Sequence, residues 1–299
     1  MTNGIFHEPR PGVVAHTAAS KVLVEDAVLR DFVGAGSEEG IPAMLKIVDG
    51  LSKWGFAKSP EQSGFCLAHD SDKAFWDFMK HHPESGNRWA NAMSALAATV
   101  SIDGVAKGID WESIGTGPVV DVGGGHGPAA VGLAKNFPKL SFIVQDMEHV
   151  VAEGPDNVPE ELRERISFMA YDVRDMQPVL SAPVYFMRAV LHNWPDANCV
   201  QILKNQIPAL KEGARIVINE IGLPETGALP LSLEKRRRQV FEFCTTDLNM
   251  LALFGSRERN ADDWKKIVKE ADERFEIRFV MMQGGPGNNI IELTWRTEY

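Results

Sequence analysis

Val119-Val120-Asp121-Val122-Gly123-Gly124-Gly125-His126-Gly127 decides the fold. A β-branched apolar run leads into an acid and then into four glycines within five positions. The stretch reads as a buried parallel strand, Pro118–Val122, ending in a tight turn that feeds a helix from Pro128 to Lys135. Glycines there let a ligand approach the backbone, because no Cβ intervenes. Gly123 and Gly125 fit the first two glycines of a dinucleotide fingerprint, but Pro128 stands where the third belongs. Pro128 suits the first turn of a helix, where its missing N–H costs nothing.

Outward from this turn the chain alternates strands and helices. Apolar strands are predicted at Ser141–Gln145, Ile166–Ala170, Val184–Arg188 and Ala214–Asn219, with closing strands at Phe275–Met281 and Asn289–Trp295. Helices fit at Ala129–Asn136, near Glu160–Arg165, at Ala197–Ala209 and at Ala261–Ala271. This grammar predicts an α/β fold: a doubly wound, mostly parallel, seven-stranded Rossmann-like sheet with an antiparallel edge. Ligands would then bind at the carboxyl ends of its strands. Upstream, Ala15 to about Ala98 carries helical spacing, with an aromatic cluster at Phe75, Trp76 and Phe78. Met1–Gly12 reads as irregular or edge strand, and Gly104–Thr116 as a linker with a short helix.

The motif V-D-x-G-G-G-x-G resembles motif I of methyltransferases that use S-adenosyl-L-methionine (SAM). In that setting Asp121, Gly123 and Gly125 belong to the cofactor site. Asp146, with Met147 after it, lies just past the second strand, 25 residues beyond Asp121. An acid at that point commonly accepts hydrogen bonds from ribose hydroxyls. Asp172, followed by Val173, ends the third strand, where an adenine amino group would be met. Asp175 competes for this role, but Asp172 lies closer to the strand end. The bland reading of each carboxylate is a solvated strand-end acid or a helix cap.

The fourth strand runs into Arg188-Ala189-Val190-Leu191-His192-Asn193-Trp194-Pro195-Asp196. This segment resembles the L-H-[DN]-W-x-D hallmark of the caffeic acid O-methyltransferase family. Ile207–Glu220, Asp247-Leu248-Asn249-Met250-Leu251 and Arg257-Glu258-Arg259 resemble that family's later blocks, in order. Phe6-His7-Glu8-Pro9 and Val14-Ala15-His16-Thr17 resemble its fungal branch. The resemblance spans essentially the whole chain. It implies His192 as general base toward a substrate hydroxyl, with Glu220 and Glu258 orienting its ring and Arg188 facing the cofactor. A phenol near pKa ~10 is a poor nucleophile at neutral pH, and an imidazole near ~6.5 can accept its proton in the transition state. A histidine on an apolar stretch is more often a satisfied core residue, a reading the surrounding motif reverses.

The resemblance further implies SAM as cofactor, S-adenosyl-L-homocysteine as product, no metal, and a small aromatic or polyketide-type secondary metabolite as substrate. It divides the chain into a mainly helical region, 1–105, taken as part of a winged-helix and dimerisation module, and a SAM-binding domain, 106–299. Full-length members carry a longer N-terminal region. A homodimer is therefore the family expectation, and apolar surface is expected to lie open where further helices would pack. Two other classes compete: a SAM-binding pericyclase or dehydratase, and an inactive auxiliary subunit. Met250, Phe254, Met281, Met282 and Trp194 are candidates for a substrate pocket, although such residues are more often plain core. Asn193 and Asp196 are expected to cap the following helix. His16, His69, His81 and His82 read as structural or surface residues, and Lys235–Arg238 as a solvated helix face.

Composition agrees with a small-molecule enzyme. The 299 residues are 44% hydrophobic, so a sizeable core is available. A net charge of −10 argues against nucleic acid and anionic membranes as partners. Cys66, Cys199 and Cys244 form no CxxC pair, which points to a reducing compartment and excludes a cysteine zinc site. No apolar run reaches membrane-span length and no signal-peptide h-region is present, so a cytoplasmic protein is expected.

Overall fold

A computed structural model describes residues 3–99, 101–222, 243–280 and 288–297. Its centre is a seven-stranded sheet of β3 (Pro118–Val122), β4 (Ser141–Asp146), β5 (Ile166–Ala170), β6 (Val184–Arg188), β7 (Arg215–Ile221), β8 (Phe275–Val280) and β9 (Asn288–Trp295), in the order β5-β4-β3-β6-β7-β9-β8. The first five pair in parallel, and β9 runs antiparallel between β7 and β8. The predicted sheet is thus present, its strands within two residues of expectation.

Val119, Val120 and Val122 are completely buried, as a central strand covered on both faces requires. One face packs Ile202, Leu203, Trp264 and Ile267 from helices Asp196–Gln206 and Ala261–Ala271. The other packs Val105, Trp111 and Leu133 against Val119, Phe186 and Val217. The chain leaves β3 toward β4 on one side and reaches β6 on the other. A crevice therefore opens at the carboxyl ends of these strands, where the sheet changes winding direction.

Local differences from expectation have simple causes. The predicted helix near Glu160–Arg165 is only a 3-10 turn, Glu160–Leu162, and the helix of this crossover lies earlier, at Glu148–Glu153. Pro159 limits what can precede that turn. The amino-terminal stretch forms a hairpin of β1 (Phe6–Arg10) and β2 (Val13–His16). Asp196 does not cap its helix. Pro195 occupies the cap position without a side-chain bond, and the Asp196 oxygens are instead held by Arg257 and Arg259.

Residues 18–99 are largely helical and form a third core around Phe65, Phe75, Met79 and Trp89. Helix Phe243–Phe254, which follows β7 in sequence, contributes Met250, Leu253 and Phe254 to this core. Phe254 stacks on Trp76 at 5.6 Å and meets Phe75 edge-on at 4.8 Å. Gly64 is required at the crossing, because a Cβ would lie 2.3 Å from the Ala43 carbonyl oxygen and 3.1 Å from that of Ala252. Val24, Val28, Leu29, Phe32 and Val33 are exposed on the first helices of this region. The basic run at 235–238 and Met281 and Met282 lie outside the described residues.

Candidate active site

The glycine turn is tied to the neighbouring strand. The Gly123 and Gly124 amides both donate to the Gln145 carbonyl, at 2.7 and 3.1 Å, and the Gly125 amide donates to Asp146 Oδ2 at 2.8 Å. Asp146 Oδ1 accepts from the Met147 amide at 2.8 Å. Gly123 and Gly125 have φ of +70° and +59°, where an L side chain is strained. The two differ in surroundings: a Cβ on Gly123 would lie 2.7 Å from Val190, whereas one on Gly125 would meet nothing within 4 Å. Gly125 therefore presents bare backbone to open space, beside a carboxylate with lone pairs to spare.

Asp121 lies one strand inward and is 1% exposed. Burial pushes its carboxyl up to about 7, against the opposing pull of Arg188, and its Oδ2 has no partner among the described residues. Desolvation likewise raises the Asp146 carboxyl and lowers the Arg188 guanidinium. His126 lies within the glycine run. It is buried, pairs through Nδ1 with Ser94 Oγ at 3.0 Å, and so joins the turn to helix Pro83–Thr99.

Asp172 has both oxygens on Arg174: Oδ1 accepts from the amide and Nε at 3.0 and 2.9 Å, and Oδ2 from Nη2 at 2.7 Å. Arg174 also forks onto Asp77 of helix Phe75–His81, both bonds 2.8 Å. The hydrogen bonds from Arg174 hold Asp77 below the usual carboxylate range. Val173 is half-buried against the sheet core, and Asp175 is exposed. Of the pocket candidates, Met250, Phe254 and Trp194 are all buried, the first two in the helical core. Of the outlying histidines, His69 packs against the rings of Phe65 and Phe78, at 4.2 and 5.4 Å.

His192, Glu220 and Glu258 come together, all buried. His192 sits in a 3-10 turn, Leu191–Asn193, that the chain enters through Ala189 at φ +52°. Its Nδ1 lies 2.9 Å from Glu258 Oε1 and 3.7 Å from Glu220 Oε2. Glu220 Oε1 accepts from the amides of Val190, Leu191 and His192 at 3.0, 2.7 and 3.3 Å. The two acids thus have separate tasks: Glu258 takes the ring nitrogen and Glu220 takes the turn's backbone. Burial alone would depress the imidazole, but Glu220 and Glu258 outweigh it and push His192 up to about 9. With Nδ1–H donating to Glu258, the neutral ring keeps its lone pair on Nε2.

Arg259, the residue after Glu258, is 1% exposed and donates to the carbonyls of Leu191 and Trp194 at 3.1 and 2.6 Å. A charged residue next to a ring-orienting acid was the available signal. Among the described residues no cluster of histidine, cysteine or acid could hold a metal ion, and no helix is long and apolar enough to cross a membrane.

This geometry agrees with what the chain is similar to. Residues 58–273 match the family model of the O-methyltransferase domain. The grayanic acid biosynthesis cluster O-methyltransferase of Cladonia grayi is 41% identical over 300 residues, covering 98% of this chain. The chain spans 61% of that relative's length. The crystal structure of OxaC in complex with S-adenosylhomocysteine and oxaline superposes with a TM-score of 0.80 at 27% identity, covering 99% of this chain and 73% of OxaC. A pericyclic reaction enzyme shares the fold alone, at a TM-score of 0.73 and 20% identity, over 98% of this chain and 74% of its own. By the extent of the family match and the identity to this fungal relative, the chain belongs to the O-methyltransferase domain family, on the caffeic acid O-methyltransferase-like branch that the residues around His192 resemble.

Proposed function

We propose that the protein transfers a methyl group from SAM to a hydroxyl of a small aromatic or polyketide-type metabolite. The observation that carries this is the buried His192–Glu258 pair at 2.9 Å, on the same sheet edge as the open space over Gly125. The residues fit the cofactor: Gly123 and Gly125 offer backbone without a Cβ, and Asp146 offers carboxylate acceptors for the ribose. Asp121, Met147, Asp172, Val173 and Arg188 complete the proposed cradle. Asp172 acts in it partly through Arg174, since that side chain takes both of its oxygens. When bound, the cofactor supplies an electrophilic methyl on a sulfonium, so the protein has no leaving group to activate.

His192 removes the acceptor's proton at Nε2 while Glu258 holds Nδ1–H, and the buried carboxylates stabilise the imidazolium that forms. With its pKa near 9, the ring lies close to a phenol, so little free energy separates the two proton positions. A small cytoplasmic enzyme in secondary metabolism is the setting that this reading and the sequence support. The division at 105/106 and a homodimer belong to the same proposal. For the dimer, the support is the exposed apolar row Val24, Val28, Leu29, Phe32 and Val33. The pericyclase and auxiliary-subunit readings have no observation of their own in this chain, and the intact His192–Glu258–Glu220 set favours methyl transfer.

Calorimetry with S-adenosylhomocysteine on wild type and Asp146→Ala is the direct test. One-site binding, weakened by about 1.5–3 kcal/mol in the variant, is expected for a lost hydrogen bond to a charged acceptor. A folded wild type that binds nothing would overturn the reading.

A further inference from the structure

We propose that Arg259 is a positioning residue for His192: it grips the carbonyls of the turn whose amides Glu220 grips, fixing the imidazole on Glu258. A lone 3-10 turn, Leu191–Asn193, has little internal hydrogen bonding and no stability of its own. Its amino-terminal donors, the amides of Val190, Leu191 and His192, converge on Glu220 Oε1. Its carboxyl-terminal acceptors, the carbonyls of Leu191 and Trp194, converge on Arg259 Nη1 and Nη2 at 3.1 and 2.6 Å. An anion thus stands at the donor end and a cation at the acceptor end, the arrangement that backbone dipoles favour.

Arg259 is itself held from three sides. Nε donates to Asp196 Oδ1 at 2.8 Å, its plane lies 5.3 Å from the Trp264 ring, and its backbone bridges to Gly222 beyond β7. The Trp194 carbonyl also accepts from Ser256 Oγ at 2.8 Å. Glu258 and Arg259 are adjacent, so a single backbone segment carries both the ring's partner and the turn's cation. If that segment is correctly placed, so is the ring.

Arg259→Lys is the test, because it keeps the charge and removes the planar fork. Only its kinetic arm rests on the methyl-transfer reading. Amide exchange at Leu191 and His192 should accelerate by about tenfold or more, as the turn loses its acceptor-side clamp. The His192 imidazole, followed by NMR, should titrate below its wild-type value, since the cation that opposes its protonation is retained while its contact with Glu258 loosens. The kcat should fall while KM for the acceptor and S-adenosylhomocysteine affinity hold. Wild-type exchange and titration in a folded Arg259→Lys would overturn the proposal. Should that variant fail to fold, Asp196→Ala, which removes the Nε partner, is read by amide exchange at Leu191 and His192, because its loss of a carboxylate shifts the titration by itself. A wild type that methylates no acceptor sinks the functional reading, while exchange and titration still decide the role of Arg259.

Discussion

His192 and Glu258, 66 residues apart in sequence, meet through Nδ1 and Oε1 at 2.9 Å inside the protein. That contact fixes which ring nitrogen can accept a proton. Changing His192 to alanine should therefore lower kcat by about 10²–10⁴, the usual worth of a general base, with S-adenosylhomocysteine binding retained. Single-turnover assays and calorimetry on one preparation check both halves.

The pH profile should shift in a defined direction. His192 accepts a proton only when neutral, so the rate should rise with pH through about 9. Glu258→Gln removes one of the carboxylates that raise the imidazole and should move this limb to lower pH. A weaker base would also lower the plateau, by about tenfold for each 1.4 kcal/mol of lost stabilisation. A limb that stays in place would show that Glu220 alone sets the proton affinity.

Gly123→Ala and Gly125→Ala should separate fold from cofactor. Both impose a left-handed φ on alanine, at about 1–2 kcal/mol. Only the first also collides, with Val190 at 2.7 Å. Gly123→Ala should melt at the lower temperature. Gly125→Ala should stay folded and bind S-adenosylhomocysteine at least about tenfold more weakly, because its methyl fills the space left for the ligand. Thermal melts and titrations on the pair give the comparison.

Asp121 carries a folding cost at neutral pH. Its carboxyl is raised to about 7 in the fold, so the folded protein holds the proton more tightly than the unfolded chain does. The corresponding stability is fully present below the ordinary carboxylate value and is lost as pH rises through about 7. Asp121→Asn, neutral throughout, should flatten this part of the stability profile and be no less stable than wild type at pH 8. Denaturant melts across the range from pH 4 to pH 8 measure it.

The sheet was readable because each strand is a short apolar run with a polar or glycine stop, and burial on both faces demands that pattern. The glycine turn was readable because left-handed backbone needs glycine, and the His192 segment because its residues follow a family pattern. Partners across space were not. Nothing in the sequence distinguishes the two acids around His192, and only the fold shows Glu258 on the ring and Glu220 on three amides. Asp196 looked like a cap from its place before a helix, yet Arg257 and Arg259, more than sixty residues later, claim it. Asp172, expected at the adenine, also holds Arg174 two residues on, a pairing that its place at a strand end does not announce. Local spacing reports periodicity, and long-range ion pairs leave no mark on it.

Helix Phe243–Phe254 leaves β7 only to complete the core around Phe65 and Trp89, and the chain then returns to place Glu258 beside His192. The two halves are laced rather than strung. A cut at 105/106, natural on sequence grounds, would strip the covering from Met250 and Phe254. It would slacken the strand of chain that delivers Glu258 to His192. Exchange of the helical half between relatives would therefore succeed only if this later helix travels with it.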